Sequence, residues 1–433
     1  MARRLDMRAP EFERAFAELM AARTRASESC AASARAIIAE VRARGDAALT
    51  ELSRRLDGSS LTPGSLRVSE DEVAEAEAGC APAALAALDL ATSRIRSYHR
   101  RQLPKDERSV DADRAMTGWR WTPLDSVGLY VPGGVASYPS TVLMNAIPAQ
   151  EAGVARIVMT TPARDGAIAP LVLAAARRAG VAEIYRVGGA QAIAALAFGT
   201  ETIAPVDKIV GPGNAYVAAA KREVFGHVGI DSIAGPSEIL VLSDAHSDPG
   251  WIAADLLAQA EHDAQAQSIL ITDDSAFADA VEAAVEHALE YLPRKAIAGA
   301  SWRDFGAVIV AESLDAAIAL VNRIAPEHLE IATDEPEALL AKVRHAGAIF
   351  LGRLTPEAIG DYVAGPNHVL PTSRAARFSS GLSALDFLKR TTLLSCSAGA
   401  LEAIGPSAIA LAEAEGLEGH ARSVAARLRR SPR

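Results

Sequence analysis

The stretch ARIVMTTPARDGAIAPLVLAAARRAGVAEIYRVGGAQAIAALAFG, residues 155–199, decides the fold. A short apolar run (155–163) precedes a helical pattern that Gly180 closes, and a second apolar run (183–189) precedes a second helical pattern. Short buried strands joined by single helices predict a parallel sheet with right-handed crossovers.

The same rhythm continues on both sides of this stretch. DKIVGPGN leads into AYVAAAKREVFG, and after Gly235 the strand–helix alternation returns from EILVLSD to GAIFLG. We therefore predict an α/β protein with two doubly wound, Rossmann-like parallel-sheet domains, one nested in the other in sequence.

The two ends of the chain have a different pattern. Residues 1 to about 100 look helical, clearest in ASARAIIAEVRARGDAALTELSRRLDG with Gly58 as its stop, and MARRLDMRAPEFERAF is interpreted as an amphipathic helix rather than a signal peptide. The predicted regions are a mainly helical one at 1–127, α/β domains at 128–236 and 237–380, and a helical tail at 381–433. Such a tail buries itself poorly, which favours docking on a partner subunit.

Composition excludes several classes of function. The chain has 433 residues, is 50% hydrophobic and carries a formal net charge of −10, so it lacks the clustered basic face that nucleic acid requires. The short basic end RLRRSPR is compatible with a solvated tail or with an anchor. Three scattered cysteines, at 30, 80 and 396, form neither a disulfide framework nor a thiolate zinc site. With no apolar run of about 18 residues, we expect no membrane span and a cytoplasmic protein.

Two glycine-rich segments follow predicted strands, GLYVPGGVASYPS (128–140) and GPGNAY (211–216). Neither completes G-x-G-x-x-G, so each is compatible with a simple turn or with a ligand loop. Glycine lets backbone N–H groups approach a ligand closely, and open α/β sheets bind ligands at the carboxyl ends of their strands.

Three further segments bring ionisable groups together. APEHLEI (325–331) places Glu327 beside His328. The pair could supply a general base and a proton shuttle, or it could belong to a solvated loop. AIGDYVAGPNHVLPT (358–372) offers Asp361 as a metal carboxylate or as part of a capped turn. EGLEGHARSV (415–424) carries Glu415 and His420, which could belong to a site or could be ordinary surface residues.

The segment LLAQAEHD (256–263) ends a helix with Gln259 and His262 one turn apart, so both project from one face. With Asp361 and His420 they would form a two-histidine, one-carboxylate, one-amide set. Imidazole favours zinc over magnesium, but an amide is an uncommon zinc ligand. The spacing alone therefore leaves both a metal site and a capped, solvated helix end open.

Taken in order, these segments, together with AGPSEILV and FSSGLS, resemble the histidinol dehydrogenase family from about residue 120 onward. The resemblance implies an NAD-linked homodimer with one Zn²⁺ per subunit that oxidises L-histidinol, through L-histidinaldehyde, to L-histidine. It implies that Glu327 and His328 perform the acid–base work and that the tail of one subunit completes the partner's site. The remaining residues that it implies are the zinc ligands Gln259, His262, Asp361 and His420, the NAD contacts Tyr130, Gln191 and Asn214, and the substrate contacts Ser237, Gln259, His262, His328, Asp361, Glu415 and His420.

Three alternatives remain at this point. A related zinc alcohol dehydrogenase acting on another small polar alcohol, such as a sulfonated diol, is disfavoured by Glu415, which attracts an ammonium group and repels a sulfonate. A zinc-binding protein without catalysis would not need the Glu327–His328 pair. A metallohydrolase is disfavoured by the two glycine loops and by the absence of H-E-x-x-H.

Overall fold

The computed structural model describes residues 2–21, 28–133, 137–163 and 166–429. The tip of the first glycine loop (134–136) and the last four residues of the basic C-terminus lie outside the described residues. The strands are β1 (Arg3–Asp6), β2 (Glu107–Val110), β3 (Ala115–Pro123), β4 (Ser126–Tyr130), β5 (Arg156–Thr160), β6 (Glu183–Tyr185), β7 (Lys208–Val210), β8 (Gly229–Ile230), β9 (Glu238–Ser243), β10 (Gln267–Thr272), β11 (Ala307–Val310), β12 (His328–Ala332), β13 (Ala348–Leu351) and β14 (Leu388–Cys396).

The helices alternate with these strands through most of the chain. They are α1 (Phe12–Ala21), α2 (Glu28–Arg44), α3 (Asp46–Leu52), α4 (Glu70–Ala78), α5 (Pro82–Arg100), α6 (Pro139–Ala152), α7 (Pro170–Arg178), α8 (Gly189–Phe198), α9 (Ala215–Val224), α10 (Pro249–Ala260), α11 (Ser275–Tyr291), α12 (Lys295–Phe305), α13 (Leu314–Ile324), α14 (Pro336–Leu340), α15 (Glu357–Ile359), α16 (Ala398–Ala414) and α17 (Glu418–Leu428). Among the described residues, no helix is both long and apolar enough to cross a bilayer.

Two parallel sheets confirm the predicted α/β architecture. The order is β6-β5-β4-β7-β8 in the five-stranded sheet and β1-β11-β10-β9-β12-β13 in the six-stranded sheet. In the five-stranded sheet the chain runs from the central strand β4 to the edge strand β6 and then crosses back to β7. In the six-stranded sheet it runs from β9 through β10 to β11, which lies beside the N-terminal edge strand β1, and then crosses back to β12. Switch points therefore lie at β4/β7 and at β9/β12. Strands such as β9 and β10 are buried along their whole length, as expected when helices cover both faces.

Each parallel sheet separates two hydrophobic clusters. On the five-stranded sheet, α5, α6 and α7 cover one face, and α2, α3, α8 and α9 cover the other. On the six-stranded sheet, α1 and α13 pack on one face, and α10, α11 and α12 on the other. The chain enters the six-stranded sheet with β1, leaves it to build the five-stranded sheet and then returns, which is the nesting that the sequence predicts.

The helical interpretation of the N-terminus is wrong for Arg3–Asp6. This segment is an edge strand that pairs in parallel with β11, and helix begins only at Phe12. Leu5 is the only fully buried residue of the strand, and the other three residues are charged. The segment therefore shows no alternation of apolar and polar residues that would predict a strand from sequence.

The helical interpretation of the tail is also wrong in part. β14 (Leu388–Cys396) pairs antiparallel with β3, in a third sheet of order β14-β3-β2, and only then do α16 and α17 follow. Most of β14 is exposed, so no buried face imposes a period of two on its sequence. The predicted domain boundaries stay predictions.

Candidate functional site

Glu327 and His328 lie at the amino edge of the six-stranded sheet. β12 begins at His328 and pairs with β9, which begins at Glu238, and all three side chains are buried. The pair is therefore at the switch point between β9 and β12, but at the edge opposite to the one where open α/β sheets usually bind ligands.

The backbone of Glu238 fixes both members of the pair. Its N–H donates to Glu327 Oε2 over 2.8 Å, and its carbonyl oxygen lies 2.9 Å from His328 Nδ1. The other imidazole nitrogen, Nε2, is buried without a hydrogen-bond partner among the described residues. A buried polar atom in this condition marks a place for a ligand or a water molecule.

Within the described part of the chain, one group of side chains could hold a metal ion: His328, Glu357 and Asp361, whose ligand atoms lie within 4.8 Å of one another. His328 Nε2 is 3.6 Å from Asp361 Oδ1, and His328 Nδ1 is 3.3 Å from Glu357 Oε1. Asp361 lies in a π-helical turn, Gly360–Ala364, a distortion that is frequent at functional sites.

Crowding of carboxylates perturbs the proton affinities of this group. Burial raises the pKa of Glu327 to about 7 and that of Glu357 to about 8, although His328 acts in the opposite direction on both. Burial alone would lower the pKa of His328, but Glu357, Glu327 and Asp361 outweigh it and raise that pKa well above its usual value. Perturbed groups clustered in this way are typical of catalytic sites.

Asp361 behaves differently from its carboxylate neighbours. Burial acts to raise its pKa, but the interaction with His328 and the charges of His368 and His262 lower it below the usual value. An aspartate held in its anionic form suits a cation ligand.

The turn that carries Asp361 is held from the five-stranded side of the molecule. His368 Nδ1 lies 3.0 Å from the carbonyl oxygen of Asp361, and His368 Nε2 lies 3.4 Å from Thr141 Oγ1 of α6. Asn367 donates to the carbonyl oxygen of Met144 over 2.6 Å. These bonds tie a loop that follows the six-stranded sheet to a helix of the five-stranded sheet.

Gln259 and His262 approach the same group. Gln259, on the last turn of α10, is buried, and in the orientation that satisfies its amide the nitrogen lies 3.0 Å from Glu357 Oε1 and 3.2 Å from both His328 Nδ1 and the Glu238 carbonyl oxygen. His262 lies just beyond the helix, where its N–H donates to the Gln259 carbonyl oxygen over 3.2 Å. Desolvation lowers the pKa of the His262 side chain, against the charge of Asp361.

The predicted cofactor contacts lie around the five-stranded sheet. Tyr130 ends β4, is buried, and accepts a hydrogen bond on its hydroxyl from Gly189 N at the start of α8. Gln191 of α8 donates to Asp57 Oδ2 over 3.1 Å, and its amide oxygen is buried without a partner in the described residues. Asn214 is exposed and caps α9 by accepting from Tyr216 N and Val217 N.

The glycines of these loops leave no room for a side chain. At Gly211, where φ is +108°, a Cβ would lie 2.2 Å from the carbonyl oxygen of Tyr130. A Cβ on Gly188 would lie 2.5 Å from Pro162. Glycine is therefore required at Gly211 by the close passage of another backbone segment and at Gly188 by the ring of Pro162.

Three predicted residues remain outside the cluster within a single chain. Ser237 lies immediately before β9 and accepts from Gln267 N through its carbonyl oxygen. Glu415 follows α16 and His420 lies in the first turn of α17, and both are exposed. Neither His262 nor His420 belongs to the metal-capable group of the described residues, so one copy of the chain does not assemble the predicted four-ligand set.

The sequence patterns missed Glu357, Glu238 and Glu330. Glu330 Oε1 accepts from Glu357 N over 2.6 Å and interacts with Asp255 behind the site. For Glu238 and Glu330, the available signal was a carboxylate at the start of, or inside, an otherwise apolar strand, since such a residue needs a specific partner when it is buried.

Comparison with known proteins identifies the family of this chain. A family model described as histidinol dehydrogenase matches residues 20–428. The chain is 63% identical over 426 residues to the histidinol dehydrogenase of Ruegeria pomeroyi, covering 98% of each chain, and 63% identical over 428 residues to that of Rhizobium meliloti, covering 99% of each. The crystal structure of histidinol dehydrogenase from Elizabethkingia anophelis superposes with a TM-score of 0.94 at 37% identity, covering 99% of this chain and 98% of that one. The chain belongs to the histidinol dehydrogenase family.

Proposed function

We propose that this protein oxidises L-histidinol to L-histidine through L-histidinaldehyde, with NAD⁺ as the hydride acceptor and one zinc ion per subunit. The observation that carries the proposal is the buried Glu327–His328 pair beside Asp361 and Gln259, in a chain more than 60% identical to curated histidinol dehydrogenases over nearly its whole length. Members of this family act in histidine biosynthesis.

His328 serves as the base in both oxidations. When a hydride leaves the carbinol carbon for NAD⁺, the oxygen on that carbon must lose its proton. Nε2 of His328, which has no hydrogen-bond partner among the described residues, is the atom that can accept it when the ring is neutral. A divalent cation bound beside Asp361 would favour this neutral form, because it would offset the carboxylates that raise the pKa of His328. The Glu238 carbonyl oxygen, 2.9 Å from Nδ1, holds the other ring proton in place.

Glu327 serves the step between the two oxidations. The aldehyde must add water before a second hydride can leave, and a carboxylate whose pKa is raised to about 7 by burial is a suitable base for activating that water near neutral pH. The second hydride then leaves the hydrated aldehyde while His328 takes the hydroxyl proton, and the product is the carboxylic acid.

The residues of the site fit a divalent ion. Asp361 is held anionic, and His262, just beyond α10, is near enough for the charge of Asp361 to act on it. Gln259, on the last turn of α10, faces Glu357 and His328. Two buried atoms, His328 Nε2 and Glu357 Oε2, have no partners in the described residues. We assign Gln259, His262, Asp361 and His420 as the ligands. When bound, zinc supplies a template for the imidazole and amine of the substrate, with Ser237 and Glu415 as further substrate contacts.

Supply of His420 and Glu415 by a second copy of the chain completes the site. The paired helices α16 and α17 bury few residues within their own chain, and Leu411 (66% exposed) and Leu394 (68% exposed) present apolar surface. We therefore assign a homodimer in which each tail covers the partner. We place NAD⁺ against Tyr130, Gln191 and Asn214, beside the glycine-rich segments that follow β4 and β7.

The yield of NADH per molecule of L-histidinol tests this proposal. With L-histidinol limiting and NAD⁺ in excess, we expect about two molecules of NADH per molecule consumed, and L-histidine as the product. A yield of about one, with aldehyde released, would show a simple alcohol dehydrogenase.

A further inference from the structure

Glu357 occupies a central place in the site. It is the first residue of the short helix α15, and its side chain is buried. Its backbone N–H donates a hydrogen bond to Glu330 Oε1 over 2.6 Å. One oxygen of its carboxylate, Oε1, lies 3.3 Å from His328 Nδ1 and 3.0 Å from the amide nitrogen of Gln259. A single acceptor therefore faces both the proposed base and a proposed metal ligand.

The orientation of Gln259 depends on such an acceptor. The two ends of an amide have nearly the same size, so packing alone does not determine which end faces a ligand. When the nitrogen donates to Glu357 Oε1 and to the Glu238 carbonyl oxygen, the amide oxygen turns away from both. Only the oxygen end of an amide binds a metal ion, so this arrangement selects the end that a zinc site needs.

The same oxygen acts on His328. A proton on Nδ1 has the Glu238 carbonyl oxygen at 2.9 Å and Glu357 Oε1 at 3.3 Å as acceptors, and this leaves Nε2 as the nitrogen that can take a proton from substrate. Glu327 does not duplicate this role, because its Oε2 already accepts from Glu238 N and lies 3.7 Å from Nδ1. Partners behind a ligand or base commonly fix its orientation in this manner.

We propose that Glu357 is a positioning residue that orients both the base His328 and the ligand Gln259 through one shared carboxylate oxygen. The inference rests on the proposed function, which assigns those two roles. It predicts that one substitution weakens metal binding and slows both oxidations, whereas a residue acting on only one of the two neighbours would change only one property.

The test compares Glu357→Gln with the wild-type holoenzyme and with Glu337→Gln, an exposed substitution on α14 of the same chemistry. Zinc affinity is measured by competition with a chelator, and kcat and KM are measured separately for L-histidinol and L-histidinaldehyde. We expect zinc affinity and both kcat values to fall about 10–100-fold with little change in KM, and Glu337→Gln to match wild type.

A double-mutant cycle isolates the route to the metal. If Glu357 acts through the Gln259 amide, Glu357→Gln should lower zinc affinity no further in a Gln259→Ala background. Additive losses, or a fall in only one of the two properties in the single variant, would overturn the shared role. Should Glu357→Gln fail to fold, Glu357→Asp, which keeps a buried carboxyl group, is measured in the same way.

The wild-type control separates this inference from the proposed function. If wild type lacks zinc or yields one NADH per L-histidinol, the proposed function fails. If wild type behaves as proposed and Glu357→Gln is unchanged, only the positioning role fails.

Discussion

Glu327 and His328 are adjacent in sequence, but the fold gives them different partners. Glu327 accepts from a backbone N–H, while His328 has Nδ1 fixed by the Glu238 carbonyl oxygen and Nε2 without a hydrogen-bond partner in the described part of the chain. This difference supports separate roles.

Glu327→Gln should slow aldehyde oxidation by about 10²–10⁴-fold, the usual contribution of a general base, and leave alcohol oxidation nearly unchanged. Rates measured with each substrate separately decide the point, and equal losses in both would refute the division of roles.

The pH dependence follows from the same residue. The pKa of Glu327 is raised to about 7, so its basic, ionised form predominates above about pH 7 and is lost as the pH falls below that value. The rate of aldehyde oxidation should therefore rise with pH through about 7 in wild type. This rise should be absent in Glu327→Gln. A profile for aldehyde oxidation that is the same in both proteins would contradict the assignment.

His262 provides a test of the metal assignment at the residue scale. His262→Asn replaces an imidazole by a group that binds zinc weakly, so we expect zinc content and activity to fall together. Both are measured on the same purified sample, zinc by atomic absorption and activity by NADH formation. Full activity in a sample that lacks zinc would show that the enzyme does not need the metal.

At the scale of elements, the turn after β7 places a steric requirement on Gly211. Gly211 and Gly226 both have positive φ, +108° and +101°, but only Gly211 would bring a Cβ against another backbone. Gly226→Ala should therefore cost only the backbone strain, about 1–3 kcal/mol of unfolding free energy, while Gly211→Ala should cost clearly more and weaken NAD⁺ binding. Denaturant unfolding and NAD⁺ titration of both variants provide the comparison, which equal losses of stability would contradict.

The strands and helices also show which parts of the fold can be predicted from sequence patterns. The buried strands of both parallel sheets and the helices between them follow from apolar runs and glycine stops, because helices cover those strands on both faces. Arg3–Asp6 and Leu388–Cys396 escaped prediction because little of either strand is buried. Glu357 was not predicted because its proposed role depends on contacts with Gln259 and His328, which lie far from it in sequence.

At the scale of the whole molecule, the five-stranded sheet helps to position the candidate site of the six-stranded one. The loop that carries Asp361 follows the six-stranded sheet but is anchored on α6 of the five-stranded one, through Thr141 and Met144. Family resemblance supplied His420 and Glu415, whereas the structure of one chain leaves both exposed. No pattern within a sequence states which copy of a chain a residue will serve, so this part of the site stays a prediction.

Hybrid dimers test the central claim, that two chains build each site, most directly. Asp361→Asn and His420→Asn homodimers should each be inactive, since every site lacks one ligand. In a mixed dimer, one site carries both substitutions and the other carries neither. Random reassociation of equal amounts should therefore restore about a quarter of wild-type activity, by the two-fold symmetry of the dimer. A mixture that stays inactive, although native mass spectrometry shows that mixed dimers have formed, would contradict a site shared between chains.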